Sequence, residues 1–123
     1  MIDNHCDAAS TEPAIDTATL AHYLGNDPAM QRRFLARFAE KAADDVEAIG
    51  AAAQTSDWQS TAAFAHKLKS SARAVGALRL AGLCADLEAL GSEPDAGVAA
   101  PLAAQVQREF ERVCRFAREF SPS

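Results

Sequence analysis

A chain of 123 residues has room for one domain around one hydrophobic core. With 49% apolar and 24% charged residues it has the composition of a globular protein, which excludes a disordered tail or linker. The net charge of −5, from 17 acids and 12 bases, comes without a long basic stripe and excludes nucleic acid as the main partner.

Residues 1 to 14 are small and polar, without periodicity, and are expected to form a flexible arm. The helical domain then spans residues 15 to 121. Asp16 suits the N-cap of a short helix carrying Leu20, Tyr23 and Leu24. Gly25, Asn26 and Asp27 end it, and Pro28 suits the first turn of the next. That second helix, from about Pro28 to Ala53, carries Phe34, Phe38, Ala42, Val46 and Ile49 at helical spacing. Ser56 or Asp57 caps a third helix, over residues 57 to 75, which Gly76 interrupts. A fourth, from about Ala77 to Leu90, uses Leu80, Leu83, Cys84 and Leu87 as its apolar side. The turn GSEPDAG, residues 91 to 97, precedes a last helix from about Val98 to Phe120, with Leu102, Val106, Phe110, Val113, Ala117 and Phe120 inward. Four long amphipathic helices on short loops predict an all-α, antiparallel up-down four-helix bundle, with the short first helix capping one end.

Cys6, Cys84 and Cys114 are too widely spaced for a disulfide framework or zinc site, and the last two fall on apolar helical positions that suit core packing. His5, Cys6 and Asp7 sit in the arm, which offers a metal no rigid geometry. The opening residues lack a basic start and an apolar run, so no secretory signal is recognised. Nothing approaches a membrane span. The expected compartment is the cytoplasm.

The third helix carries one histidine. At 100° per residue, Trp58, Thr61, Ala65, Leu68, Ala72 and Val75 fall on one arc of roughly 100°, the core-facing stripe. His66 lies about 130° from its centre, beside Gln59, Ala62, Ala63, Ser70 and Arg73, with Lys69 toward one edge. Phe64, about 70° from the centre, belongs at the core boundary. The imidazole is therefore expected to stand above a low surface of small residues flanked by positive charge, open to an anionic partner. A surface histidine on a helix is more often a plain solvated residue, and sequence context decides.

The string from Ala65 to Glu88, AHKLKSSARAVGALRLAGLCADLE, resembles the signature of the histidine-containing phosphotransfer (HPt) domains of phosphorelays. The matching elements are His66, Leu68, Lys69, Ser71, the Gly76-Ala77 pair, Leu80, Cys84, Leu87 and Glu88. The segment from Leu20 through Phe38 looks like the family's first two helices, so only the first dozen residues fall outside the resemblance. Ser70 stands where many members have glycine, and its hydroxyl can back-bond to the carbonyl of His66 or touch a phosphoryl group.

The resemblance implies a carrier. A phosphoryl group would pass from a receiver-domain aspartate to His66 and on to another receiver's aspartate, with His66 the nucleophile. Such transfer needs in-line geometry and charge neutralisation more than acid–base chemistry. Lys69 is the first candidate to steady the phosphoryl oxygens, and Arg73, two turns away, the second. Ala62, Ala63 and Ser70 would border the partner. The family's hydrophobic docking patch points to Leu20, Tyr23, Leu24, Phe34 and Lys41, of which Leu24 and Lys41 are kept as candidates; the others suit the core equally well. The chain has no glycine-rich nucleotide loop and no cofactor of its own is expected, so Mg²⁺ would come with the receiver. The implied partners are response-regulator receiver domains and a hybrid sensor histidine kinase, met by a monomer.

Other classes fit less well. A sensor-kinase dimerisation domain usually has an acid directly after its histidine and a proline soon after, whereas this chain has Lys67. A carboxylate-bridged metal bundle needs inward Glu-x-x-His pairs, and the sequence has none. A helical adaptor in which His66 is incidental is the remaining alternative, and its partner binding would survive loss of His66.

Overall fold

The computed structural model of the protein describes residues 13–120. The arm with His5, Cys6 and Asp7, and the closing Ser121, Pro122 and Ser123, lie outside the described residues. Ala14, expected at the end of the arm, is instead buried beside Ile15, so the packed domain begins at least one residue earlier.

The described residues form five helices: α1 Thr17–Leu24, α2 Pro28–Gln54, α3 Trp58–Ala74, α4 Leu78–Ala89 and α5 Ala96–Glu119. Aspartates set four of the starts. Asp16, Asp27, Asp57 and Asp95 each accept a hydrogen bond from a backbone N–H of the first turn, at 3.1, 3.1, 3.2 and 3.0 Å, satisfying donors that a helix end otherwise leaves open. Asp57, rather than Ser56, caps α3; Ser56 takes the left-handed φ of 57° that reverses the chain after α2. The Asp95 cap also starts α5 at Ala96, two residues before the expected Val98.

The long helices form a ring, α2 against α3, α3 against α4, α4 against α5 and α5 back against α2, while α1 lies across α2 and α3. This is the expected four-helix bundle with its extra N-terminal helix. Each long helix buries one stripe between two neighbours. On α3 the stripe of Thr61, Ala65, Leu68 and Ala72 is buried, with Val75 just beyond it, while Trp58 and Phe64 sit half-buried at its border. On α2 the expected stripe is shifted at one end: Leu35, not Phe34, is buried. The 3- and 4-residue steps that join Phe38, Ala42, Val46 and Ile49 extend backwards to Leu35 and leave Phe34 42% exposed. Cys84 is buried and Cys114 half-buried, both reduced thiols. Burial pushes the Cys84 thiol up to about 12, which makes it inert at neutral pH.

One charged residue breaks the apolar pattern. Glu109 on α5 is 4% exposed. Its carboxylate accepts from the Arg112 guanidinium at 2.9 and 3.1 Å and faces Arg79 of α4 at 3.6 Å. A buried carboxylate needs such partners, and here they also tie α4 to α5.

The α3–α4 turn seats α1. Gly76 has φ of +85°, and its carbonyl accepts from the Asp16 N–H at 2.7 Å. A Cβ at Gly76 would lie 2.5 Å from the Asp16 carbonyl oxygen. Both the backbone angle and the close approach exclude a side chain. Gly76→Ala is expected to destabilise the fold by about 1–2 kcal/mol from the left-handed φ alone, with the displacement of α1 added. Urea denaturation of the two proteins checks this, and an unchanged midpoint would contradict it.

Candidate phosphotransfer site

His66 lies midway along α3, on the side turned toward α4 rather than toward open solvent on every side. Its side chain is 64% exposed, and its Nδ1 lies 2.8 Å from Oε2 of Glu88. The other oxygen of Glu88, Oε1, accepts from Lys69 Nζ at 2.6 Å. The spacing explains the triad. His66 and Lys69 are three residues apart and so share one flank of α3, and antiparallel packing brings the last turn of α4 alongside them. A carboxylate near a helix C-terminus opposes the helix dipole, and the Lys69 ammonium offsets this. The Lys69 hydrogen bond, with a smaller contribution from His66, holds the Glu88 carboxyl below the usual carboxylate range.

The direction of that shift gives a prediction. Because the folded pKa is depressed, the ionised Glu88 and its two hydrogen bonds are present above the ordinary glutamate pKa and are lost only as pH falls through the lower folded value. A carbon-detected NMR titration is expected to place the Glu88 midpoint below that of an unpaired glutamate. In Lys69→Ala the midpoint is expected to move up; an unmoved midpoint would show that Lys69 is not the cause.

The carboxylate of Glu88 can only accept, so Nδ1 of His66 must be the donor. The neutral ring then carries its proton on Nδ1 and presents a lone pair on Nε2, which has no partner among the described residues. An imidazole held in this tautomer keeps on its other nitrogen the lone pair that nucleophilic chemistry requires.

The other sequence-derived residues divide into three groups. Lys69, expected toward one edge of the histidine's face, lies beside His66 with its ammonium engaged by Glu88 and its side chain 18% exposed. Ala63, Ser70 and Arg73 are exposed on the histidine's side of α3. Ser70 does not back-bond to His66: among the described residues its hydroxyl has no partner, whereas Ser71 bonds to the Leu68 carbonyl at 3.1 Å. Ala62 is half-buried under the α4–α5 turn, where a Cβ on Gly91 would come within 2.5 Å of the Ala62 Cβ. It faces that turn more than an approaching partner. Leu24 is half-buried against the core, and Lys41 is exposed on α2. Of the wider patch, Leu20 is fully buried, while Tyr23 at 62% and Phe34 at 42% are exposed.

Sequence reasoning placed Glu88 in the signature without giving it a role. The signal that identifies it is tertiary, since 22 residues separate it from His66 and only the α3–α4 packing joins them.

Among the described residues no helix is long and apolar enough to cross a membrane, and no group of three or more His, Cys, Asp or Glu is placed to hold a metal ion. Comparison with known proteins agrees with the geometry. A search of curated proteins finds no match. Among solved structures, the histidine-containing phosphotransfer protein B (HptB) of Pseudomonas aeruginosa PAO1 is similar, with a TM-score of 0.79 and 27% identity over 89% of this chain and 95% of that one. The sequence model of the Hpt domain matches residues 33–116, a span that holds His66, Lys69 and Glu88 together. The chain therefore belongs to the Hpt domain family, whose members carry phosphoryl groups on histidine in phosphorelays.

Proposed function

We propose that His66 is the phosphoacceptor, taking a phosphoryl group from a receiver-domain aspartate and passing it to the aspartate of another. The observation that carries this reading is the 2.8 Å contact between Nδ1 and Glu88 on a mostly exposed ring, with Nε2 left without a partner among the described residues. In the uptake step the Nε2 lone pair attacks phosphorus, the bond from phosphorus to the aspartyl oxygen breaks, and the aspartate leaves as a carboxylate. The proton on Nδ1 stays in place, so the phosphorylated ring is cationic. Glu88 stabilises that cation, and Lys69 keeps Glu88 ionised. Passing the group on reverses the same bonds. Lys69 keeps two further N–H donors for the phosphoryl oxygens, and Arg73 supplies a second positive charge on the exposed face. Ser70 and Ala63 are small enough for a receiver to approach closely.

The upstream donor is a hybrid sensor histidine kinase acting through its receiver. In-line transfer between aspartate and histidine depends on charge neutralisation at phosphorus, and the divalent cation for this belongs to the receiver partner. Mixing the protein with a ³²P-labelled receiver domain and Mg²⁺ is expected to give acid-labile, base-stable label on this chain. Removing the metal with EDTA is expected to stop uptake, and ATP alone is expected to give none. Label arriving from ATP in the absence of any receiver would contradict the carrier role.

A further inference from the structure

A groove of about 490 Å³ runs between α2 and α5, on the edge of the helix ring diagonal to the α3–α4 edge that carries His66 and Glu88. Val46 and Phe110, both buried, form its floor. Ala43, Glu47, Gly50 and Gln54 line it from α2, and Gln107 and Glu111 from α5. The α2 side continues toward the helix start as a row of small residues: Ala29, Ala36, Ala43 and Gly50 recur every seven residues, two turns, and share one face. The three alanines are exposed and Gly50 is half-buried. A Cβ on Gly50 would meet nothing within 4 Å, so packing within the chain does not call for glycine there, although glycine inside a helix weakens it relative to alanine. Two charges sit in the same row. Arg32 lies three residues after Ala29, and Glu47 three before Gly50. Both are exposed, and neither has an ion pair among the described residues. From either end, the row thus gives small, charged, small at the same intervals, with the sign of the charge reversed.

We propose that this groove receives α2 of a second copy of the chain, giving a two-fold dimer in place of the monomer expected from the sequence. An isologous interface needs a surface that complements itself, and the row does so when the two α2 helices run antiparallel. With Ala29 opposite the partner's Gly50, Ala36 faces the partner's Ala43 and Arg32 the partner's Glu47. The small residues let the helix axes approach to the lower end of the usual range, about 8 Å, and the facing segments are about 32 Å long. Charge argues for a second copy over an unrelated helix. A basic segment would suit Glu47 and repel Arg32, an acidic one the reverse, whereas the two-fold axis pairs both charges twice. Glu40, exposed on the flank of the row near its middle, is the adverse charge, because it lies close to its own copy across the axis. The α3–α4 edges stay on the outside of such a dimer, so both His66 side chains remain open.

Sedimentation equilibrium of the full chain from about 1 μM to 1 mM, at low and high salt, tests the proposal. The wild type is expected to pass from monomer to dimer over this range, and to do so less readily at high salt, which screens the Arg32–Glu47 pairs. Arg32→Glu is expected to weaken the dimer about tenfold by setting acid against acid. The double reversal Arg32→Glu/Glu47→Arg is expected to restore it, since both pairs are rebuilt with their signs exchanged. Glu40→Gln is expected to tighten it. Gly50→Leu is expected to prevent dimerisation while circular dichroism shows the helices intact, because the monomer has room for the added side chain. A wild type that stays monomeric throughout would overturn the proposal. So would a dimer that Arg32→Glu and Gly50→Leu leave unchanged, or a double reversal that associates no better than Arg32→Glu alone.

Discussion

His66→Gln is expected to leave the protein folded and to abolish its phosphorylation, whether the donor is a labelled receiver domain or phosphoramidate. The side chain is mostly exposed, so its loss removes no core contact, and surface changes of this kind usually alter stability by less than about 0.5 kcal/mol. Glutamine keeps a polar group near Glu88 and has no nucleophilic lone pair like that of imidazole. The chain's other histidines do not substitute for it. His22 lies on α1 against the ring of Tyr23, 5.1 Å between centroids, and no carboxylate among the described residues orients it, while His5 lies outside the described residues. Acid-labile label retained by the variant would move the phosphoacceptor elsewhere and remove the reason for the Glu88 contact.

Glu88→Ala is expected to slow phosphoryl uptake about tenfold, the effect of losing one hydrogen bond to a developing charge at a partly exposed site. Glu88→Gln should recover part of the rate, because its amide oxygen still accepts from Nδ1–H although it no longer offsets the cationic ring. Glu88 touches neither phosphorus nor the receiver in this account. Its role is positioning, and the readout that separates positioning from simple support of the fold is the ring tautomer. Nitrogen-15 NMR of His66 is expected to show the proton on Nδ1 in the wild type and a mixture of tautomers in Glu88→Ala. Unaltered ring shifts together with a slowed rate would assign the loss to something other than orientation.

The helices, their order and the exposed histidine were legible in the sequence because each depends on near neighbours. Aspartate caps, helical spacing and glycine stops act within a turn or two, and the burial of Thr61, Ala65, Leu68 and Ala72 follows from their 3- and 4-residue steps. The misplacement of Phe34 shows the limit of that logic. Two adjacent large apolar residues, Phe34 and Leu35, both fit a helix, and only the position of α2 in the ring decides which is buried. Three features were not legible for a different reason. The Glu88 bridge, the Glu109 cluster and the contact of Gly76 with Asp16 each join distant parts of the chain. Glu109 in particular occupies a core position that its residue type argues against, until Arg79 and Arg112 are brought beside it. Lys69 was placed correctly on the edge of the histidine's face, but the partner that engages it lies on another helix.

The most direct test of the account is the atom that carries phosphorus. Heteronuclear NMR of the protein labelled with nitrogen-15 and phosphorylated by phosphoramidate identifies both the residue and the ring nitrogen. Coupling of phosphorus to Nε2 of His66, with the proton retained on Nδ1, is the result that the Glu88 contact predicts. Phosphorus on Nδ1, or on a residue other than His66, would contradict it.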